Sequence, residues 1–381
     1  MDSQKIIIQK IIIIDQTIRE GMQYHGLMFS NDQRLKIIEF QEALGVDISQ
    51  AGYPPAHKSE AENVKSLYRE TKKRGYAIRV SGLYRALADD VRPMVKLGFK
   101  DFQLHMALTK EMLERTSVDV IYKSLEQTVA LIRSEVHRPV IDVSLLDMGN
   151  TDMDLLEECA GFLIDELEVD ILTLPDTSGI MAPNLLFDLV ASIVKLTIAK
   201  KTRIGIHCHN DMGMATANTV MGVAAGASVV QVTALGIGER NGIGDIFLVG
   251  KCLKDQGYPI NLKTENKDLF EQYYKYINGI CLEQTNTGIL NYNTPVFSPS
   301  METHVAGTHG IASYGSAGNE AFFLNVLCGK HMVEKYLHSN NIRYDKDNIK
   351  EIVAGIKDKS AELGRFISKK EVVDIVIETG G

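Results

Sequence analysis

The sequence predicts an α/β fold: a (β/α)8 TIM barrel followed by a linker arm and a small C-terminal helical subdomain. Three observations predict it. Short apolar runs alternate with stretches of helical period, and this repeats eight times before residue 257. Strict βα repetition implies a parallel sheet with right-handed crossovers. Eight such units in about 250 residues fit a closed barrel better than an open doubly wound sheet. Past that point strand signal fades, and a segment rich in Asn, Thr, Ser and Pro leads into charged helical sequence.

The elements follow in order. Residues 5–14 are rich in Ile and read as a strand buried on both faces. The polar stretch DQTIREGMQYHG follows. A helix is then predicted over 31–44, with Asn31 as its N-cap and Gly45 just past its end. VDISQAG reads as a strand and 59–74 as a helix; YAIRVSG is a strand and 88–97 a helix. DFQLHMA precedes a helix over 119–136, and PVIDVSLL one over 152–166. VDILTL leads to 183–199, RIGIHCH to 214–226, and ASVVQVTALG to a helix near 245–256. One more helix near 266–282 precedes the linker NTGILNYNTPVFSPS. The expected organisation is a catalytic barrel over 1–285, an arm over 286–318 carrying His304 and His309, and a helical subdomain over 319–381. A subdomain of about sixty residues buries a marginal core, so it is expected to pack on something.

Composition narrows the function. The chain has 381 residues and a net charge of −8, with no basic footprint for nucleic acid. No apolar run approaches the roughly 18 residues that span a membrane. The N-terminal MDSQKIIIQKIIIID is interrupted by Lys5 and by Gln9-Lys10 and is followed by no cleavage site, so it makes a poor signal peptide. The five cysteines are scattered without CxxC spacing, which argues against a disulfide framework and for a reduced, cytoplasmic setting.

Barrel chemistry sits at the C-terminal ends of the strands. Those ends carry Asp15, Thr17, Arg19, Glu20 and Gln23; Tyr84 and Arg85; His105; Ser144 and Asp147; Thr173, Asp176 and Thr177; and His207, His209, Asn210 and Asp211. His207-Cys208-His209 is the strongest signal. Residues i and i+2 of a strand point the same way, so both imidazoles face inward and reach one divalent cation. Without such a partner, two inward polar rings are costly. A carboxylate from Glu20, Asp15 or Asp211 would complete the set, while Cys208 points away into the core. Arg19 beside Glu20 suits stabilisation of an enolate or oxyanion. The glycines at 236, 238, 242 and 244 miss the GxGxxG pattern and precede no βαβ unit, which argues against a nicotinamide site. They favour close backbone approach to a substrate. His304 and His309, in METHVAGTHG, are placed to cap an active site, including that of a neighbouring subunit.

These residues form a recognisable set. Asp15-Gln-Thr-Ile-Arg-Glu-Gly-Met-Gln23 resembles the D-x-T-x-R-[DE]-G-x-Q signature of the homocitrate synthase and 2-isopropylmalate synthase family. His207-Cys-His-Asn-Asp-Met-Gly-Met-Ala-Thr-Ala-Asn218 is similar to its H-x-H-N-D-x-G-x-A-x-A-N segment, Gly236-Ile-Gly-Glu-Arg to its G-x-G-E-R motif, and Pro175-Asp-Thr-Ser-Gly179 to its P-D-T-x-G turn. Thr303–His309 and Gly329-Lys-His331 also have counterparts, so the resemblance runs through most of the chain.

The resemblance implies a Claisen-type condensation of an acyl-CoA, usually acetyl-CoA, with a 2-oxo acid, in amino-acid biosynthesis. It implies Glu20, His207 and His209 as ligands of a divalent metal ion (Mg, Mn, Co or Zn), and Arg19 and His309 as catalytic residues. Gln23, Leu83, Arg85, His105, Ser144, Thr173 and Thr177 would bind substrate. His309 would act from the partner subunit, which implies a homodimer. Acetyl-CoA rests on the resemblance alone.

The departures leave the 2-oxo acid open. Ile243 stands where isopropylmalate synthases carry a metal-binding Asn, which leans toward homocitrate synthases. Leu83 stands where homocitrate synthases carry a carboxylate-reading His, and with His105 leans the other way. Ser144-Leu-Leu-Asp-Met-Gly-Asn150 lacks the Glu and Arg of the usual S-x-E-D-x-x-R, leaving Arg85 as the candidate cation for a second carboxylate. The stretch from His309 to Gly329 is short. The chain ends at Gly381 without a long regulatory domain, so no leucine inhibition is expected. Two other readings stand beside the synthase: a metal-dependent C–C lyase or aldolase, and a non-catalytic barrel. The second needs a broken metal site, whereas Arg19, Glu20, His207 and His209 are all present.

Overall fold

Eight parallel strands pair in chain order and close on themselves. They are β1 (Ile12–Asp15), β2 (Ile48–Gln50), β3 (Arg79–Arg85), β4 (Asp101–Ala107), β5 (Val140–Leu146), β6 (Ile171–Asp176), β7 (Arg203–Cys208) and β8 (Val229–Val232). Closure runs through Ile12 opposite Val229 and Asp15 opposite Val232. The chain is seen here as a computed structural model that describes residues 9–290 and 324–380. It divides into two compact units between Ile289 and Leu290.

A short helix, α1 (Thr17–Glu20), follows β1 at the barrel mouth, and the other helices of this unit are α2 (Asn31–Leu44), α3 (Lys58–Lys73), α4 (Ala88–Val95), α5 (Lys110–Leu113), α6 (Val118–Glu135), α7 (Met153–Gly161), α8 (Pro183–Leu196), α9 (Ala215–Ala224), α10 (Ile246–Asp255) and α11 (Lys267–Thr285). The expected (β/α)8 barrel is therefore present, with local corrections. The N-cap of α2 is Ser30, not Asn31: its Oγ accepts from Gln33 N at 3.3 Å while Gln33 Oε1 accepts from Ser30 N at 2.8 Å. The first strand begins at Ile12, because Gln9 and Lys10 are exposed; residues 5–8 of that expectation lie outside the described residues. The helix expected over 152–166 is α7 followed by a π-helical turn, Phe162–Glu166.

Strand alternation builds the interior in layers. The lowest is apolar: Ile14, Ile48, Ile171 and Val229 meet on the axis. Two residues further along the strands the inward positions turn polar: Gln16, Gln50, Gln103, Asp142, Thr173 and Gln231, all buried. Two residues further still, Leu83, His105, Ser144, Pro175 and His207 face an open cavity. The intervening residues point at the helices. Asp15 is one of these, and its Oδ2 accepts from Tyr273 of α11 at 3.0 Å. The neighbouring Tyr274 donates to Asp245 Oδ2 at 2.5 Å, so α11 is pinned to the barrel where the chain closes it.

The second unit contains α12 (Lys330–Ser339), α13 (Ile349–Leu363) and α14 (Lys369–Glu378). Its core is built from Leu324, Cys328, Met332, Val333, Leu337, Ile352, Ile356 and Val376, among others. The α14 helix starts at a capping box between Ser368 and Glu371. Most of the predicted arm, with His304 and His309, lies outside the described residues.

Candidate active site

A cavity of about 730 Å³ opens at the C-terminal mouth of the barrel. Arg19, Glu20, Gln23, Leu83, His105, Ser144, Thr177, His207 and His209 all line it. Of the residues expected to bind substrate, two do not. Thr173 lies one layer down, where its Oγ1 donates to Asp142 Oδ1 at 2.7 Å. Arg85 points outward at the strand end and forms a two-pronged ion pair with Asp90, at 2.7 and 2.8 Å.

His207 and His209 converge. Their Nε2 atoms are 3.2 Å apart, and both rings are buried. The tautomer of His207 follows from its neighbour. Gln231 Oε1 already accepts from Gln16 Nε2 at 2.6 Å, and it lies 3.1 Å from His207 Nδ1. An amide oxygen only accepts, so Nδ1 carries the proton and Nε2 presents its lone pair to the cavity. Burial, with His209 adding to it, pushes His207 down to about 3, which keeps the ring neutral. Burial lowers His209 as well.

Glu20 faces the pair from β1's side. Its Oε2 accepts from Arg19 Nη1 and its Oε1 from Glu239 N, the latter at 3.1 Å. Burial works to raise its carboxyl, but the Arg19 guanidinium and the bond from Glu239 N outweigh that and hold it below the usual range. The loop after β8 presses on this group: a Cβ at Gly238 would sit 2.8 Å from Glu20 Cγ. That loop is clamped in turn. Arg240, at φ +54°, pairs with Asp211 at 2.9 and 3.1 Å and donates to Thr177 O, joining the ends of β6, β7 and β8. Asp211 is thereby taken up by Arg240, and Asp15 lies on the helix side of β1, which leaves Glu20 as the carboxylate facing the histidines.

Among the described residues, no three His, Cys, Asp or Glu side chains form a ready-made metal cluster. The Glu20 carboxylate is engaged by Arg19. The donor set itself fits a divalent ion. Two imidazoles on one ion at about 2.1 Å, at tetrahedral or octahedral angles, stand about 3.0–3.4 Å apart. The observed spacing of 3.2 Å falls in that range. The Gln231 bond supplies the outer-shell support that metal-binding histidines need. His209 Nδ1 is buried without a partner.

The rest of the wall is mostly apolar or committed. Leu83, Leu146, Pro175, Met22 and Leu27 contribute hydrocarbon. Arg34 is fully buried and bonds both oxygens of Glu60, at 2.9 and 2.8 Å. His105 is pushed down to about 4 by burial and by the cations Arg19 and Arg85, so it is neutral. Gln16, Gln50, Tyr53 and Gln231 belong to the site but are not among the residues the strand ends point to. The signal for two of them was present: Gln50 in ISQ and Gln231 in VVQV are polar residues at inward-facing positions of short apolar strands.

The sequence model of the HMGL-like family matches residues 10–272. The chain belongs to the HMGL-like family. It is 30% identical over 394 residues to a 2-isopropylmalate synthase of Sulfurisphaera tokodaii, covering 97% of this chain and 96% of that protein. It is 28% identical to a homocitrate synthase of Pyrococcus abyssi, over 87% of this chain and 89% of that one. Among solved structures, HMG-CoA lyases of Brucella melitensis and Pseudomonas aeruginosa superpose with a TM-score of 0.60 each. They are 14% and 15% identical, cover 71% and 74% of this chain and 99% and 95% of theirs, and share the barrel fold with this HMGL-like protein. No helix among its described residues is long and apolar enough to cross a membrane.

Proposed function

We propose that the protein condenses acetyl-CoA with a 2-oxo acid, giving a 2-hydroxy acid extended by a carboxymethyl group and free CoA. The observation that carries this reading is the convergence of His207 and His209 on one point, opposite the Arg19–Glu20 pair, in a single cavity. The relatives named synthases support it over nearly the whole chain.

Members of this family generally depend on a divalent metal. His207, His209 and Glu20 would hold it, and when bound it supplies Lewis-acid activation of the 2-oxo acid's ketone. The protein's own residues do the rest. The Arg19 guanidinium faces the reacting oxygens and offsets the charge that develops there. Gln23 and Thr177 orient the acid, with neutral His105 and Ser144 beside it. A proton leaves the acetyl methyl group, the methyl carbon bonds to the ketone carbon, and the ketone oxygen gains a proton. Water then cleaves the thioester, releasing CoA. His309 is assigned the acid–base role, reaching in from a partner subunit of a homodimer.

The walls favour a 2-oxo monocarboxylic acid with an apolar side chain. Among the described lining residues Arg19 and Arg34 are paired and His105 is neutral, while Arg85 is paired to Asp90 away from the cavity. A second carboxylate buried without a cation is costly.

The test is thiol release by metal-loaded protein with acetyl-CoA and, in turn, 2-oxoisovalerate, pyruvate, 2-oxoglutarate, oxaloacetate and glyoxylate. Release with 2-oxoisovalerate or another apolar acid is expected. Release with 2-oxoglutarate alone would refute the specificity reading. No release with any acid, alongside cleavage of a hydroxyacyl-CoA, would replace the synthase with a lyase.

A further inference from the structure

The polar layer under the cavity floor forms a directed ring. Arg19 Nε donates to Gln50 Oε1 at 2.6 Å, Gln50 Nε2 donates to Gln103 Oε1, and Gln103 Nε2 donates to Asp142 Oδ2 at 2.9 Å. On the other side Arg19 Nη2 donates to Gln16 Oε1 at 3.1 Å and Gln16 Nε2 to Gln231 Oε1 at 2.6 Å. Gln231 Nε2 then reaches Asp142 Oδ2 at 3.4 Å. Two amide relays thus run from one cation to one buried carboxylate. A guanidinium only donates and a carboxylate only accepts, so both ends impose the same direction on every amide between them. Bonds arranged in such chains polarise one another.

The geometry points to Asp142 as a positioning residue for the reaction: as the anionic end of both relays, it holds Gln231 with Oε1 toward His207 and holds Arg19 in place from two sides. Asp142 lies under the floor and touches neither His207 nor Arg19. The consequence at the surface is specific. With Gln231 Oε1 fixed, His207 must carry its proton on Nδ1 and leave Nε2 free, whereas a turned amide would reverse the tautomer. Thr173 Oγ1 donates to the other oxygen of Asp142, at 2.7 Å, so three donors satisfy one buried anion. Burial pushes Asp142 up to about 6, with the bonds from Thr173 and Gln103 opposing it, and the group is ionised at neutral pH.

The proposal rests on the synthase reading only for its kinetic arm. Asp142→Asn keeps the shape but removes the charge that ends both relays and sets an N–H2 group against either the Thr173 hydroxyl or the two amide donors. We expect kcat to fall about 10- to 100-fold while KM for both substrates stays within about threefold. The decisive variant relocates the charge. In Gln103→Glu/Asp142→Asn the carboxylate at position 103 accepts from Gln50, and the amide at position 142 donates to it. Gln231 Nε2, which faces that same atom of residue 142, then bonds Thr173 Oγ1, its other acceptor at 3.3 Å, so both relays keep their direction and activity is expected to return to within about fivefold of wild type. On metal-free protein, 15N-histidine NMR should show His207 as the pure Nδ1–H tautomer in wild type and in the double variant, and as a mixture in Asp142→Asn. Asp142→Asn too unstable to purify, beside a folded and active double variant, would support the relay as well. A double variant no more active than Asp142→Asn, or an unmixed His207 tautomer in Asp142→Asn, would overturn it. If wild-type protein turns over no substrate pair, the synthase reading fails, while the tautomer spectra still decide the relay.

Discussion

Gly238→Ala isolates the contribution of Glu20 with one methyl group. The new Cβ would stand 2.8 Å from Glu20 Cγ and 2.9 Å from its Oε1. Ordinary contact begins at 3.4 Å, so the carboxylate must retreat by about 0.6 Å. It has little freedom to do so, because Oε1 is bonded to Glu239 N and Oε2 to Arg19. A misplacement of about 1 Å in a catalytic constellation costs about 100-fold in rate. The expected loss in kcat is therefore about 10- to 100-fold, or about 1.4–2.7 kcal/mol of transition-state stabilisation. No left-handed backbone angle is required at Gly238, so the fold should tolerate Ala. The assay is thiol release at saturating substrates, with metal affinity of the same protein measured by titration. Gly279→Ala is the control: it lies within α11 with nothing within 4 Å of its Cβ, and should leave turnover alone while raising stability by up to about 1 kcal/mol. Wild-type kcat and metal affinity in Gly238→Ala would refute the claim that Glu20's position matters.

Three more expectations follow from the same contacts. His207→Ala should remove turnover by more than about 100-fold yet leave the thermal midpoint within a few degrees, and unchanged activity would sink the metal assignment. Tyr273→Phe leaves Asp15 Oδ2 without its tyrosine donor and should cost about 1–3 kcal/mol in urea unfolding at unchanged m-value; a loss below about 0.5 kcal/mol would show that the contact is idle. Burial raises Asp245 to about 6 from an ordinary 3.8. The folded protein then binds this proton more tightly than the unfolded chain. Stability from this group is full below about pH 4 and is lost, on the order of 3 kcal/mol, as pH rises through about 6. Asp245→Asn keeps the cap on α10 through its one oxygen and donates its N–H2 to the Tyr274 hydroxyl, as the protonated acid would, so it should match wild type near pH 4 and exceed it at pH 7. A stability gap that does not change with pH would refute this.

The barrel was legible because two patterns do not mix: the short, near-continuous apolar run of VDILTL, buried on both faces, and the longer helical pattern of NDQRLKIIEFQEAL are separable along the chain. The pairing of His207 with His209 was legible for the same reason, since i and i+2 on one strand must share a face. Glu20 over Asp15 and Asp211 was not decided at that level. Asp15 takes the outward parity at the end of β1, and Asp211 is neutralised by Arg240 from a different loop. Arg85 shows the limit differently: its partner Asp90 lies only five residues on, yet only the turn into α4 reveals that the two meet.

What the sequence by itself determined is local: the order and type of the elements, the strand-end residues and the inward parity of each. What only the tertiary structure decided is depth and partnership. Thr173 and His207 both point inward, but the pairing of β6 with β7 sets Thr173 opposite Gly205, two residues below His207, which puts one under the floor and the other in the cavity wall. The ring of Gln16, Gln50, Gln103, Asp142, Gln231 and Arg19 draws on four strands, the β1–α1 junction and α1, with bonded partners up to 215 residues apart along the chain. Hydrogen bonds act over about 3 Å, and no period in a linear chain encodes which distant side chains barrel closure will bring that near.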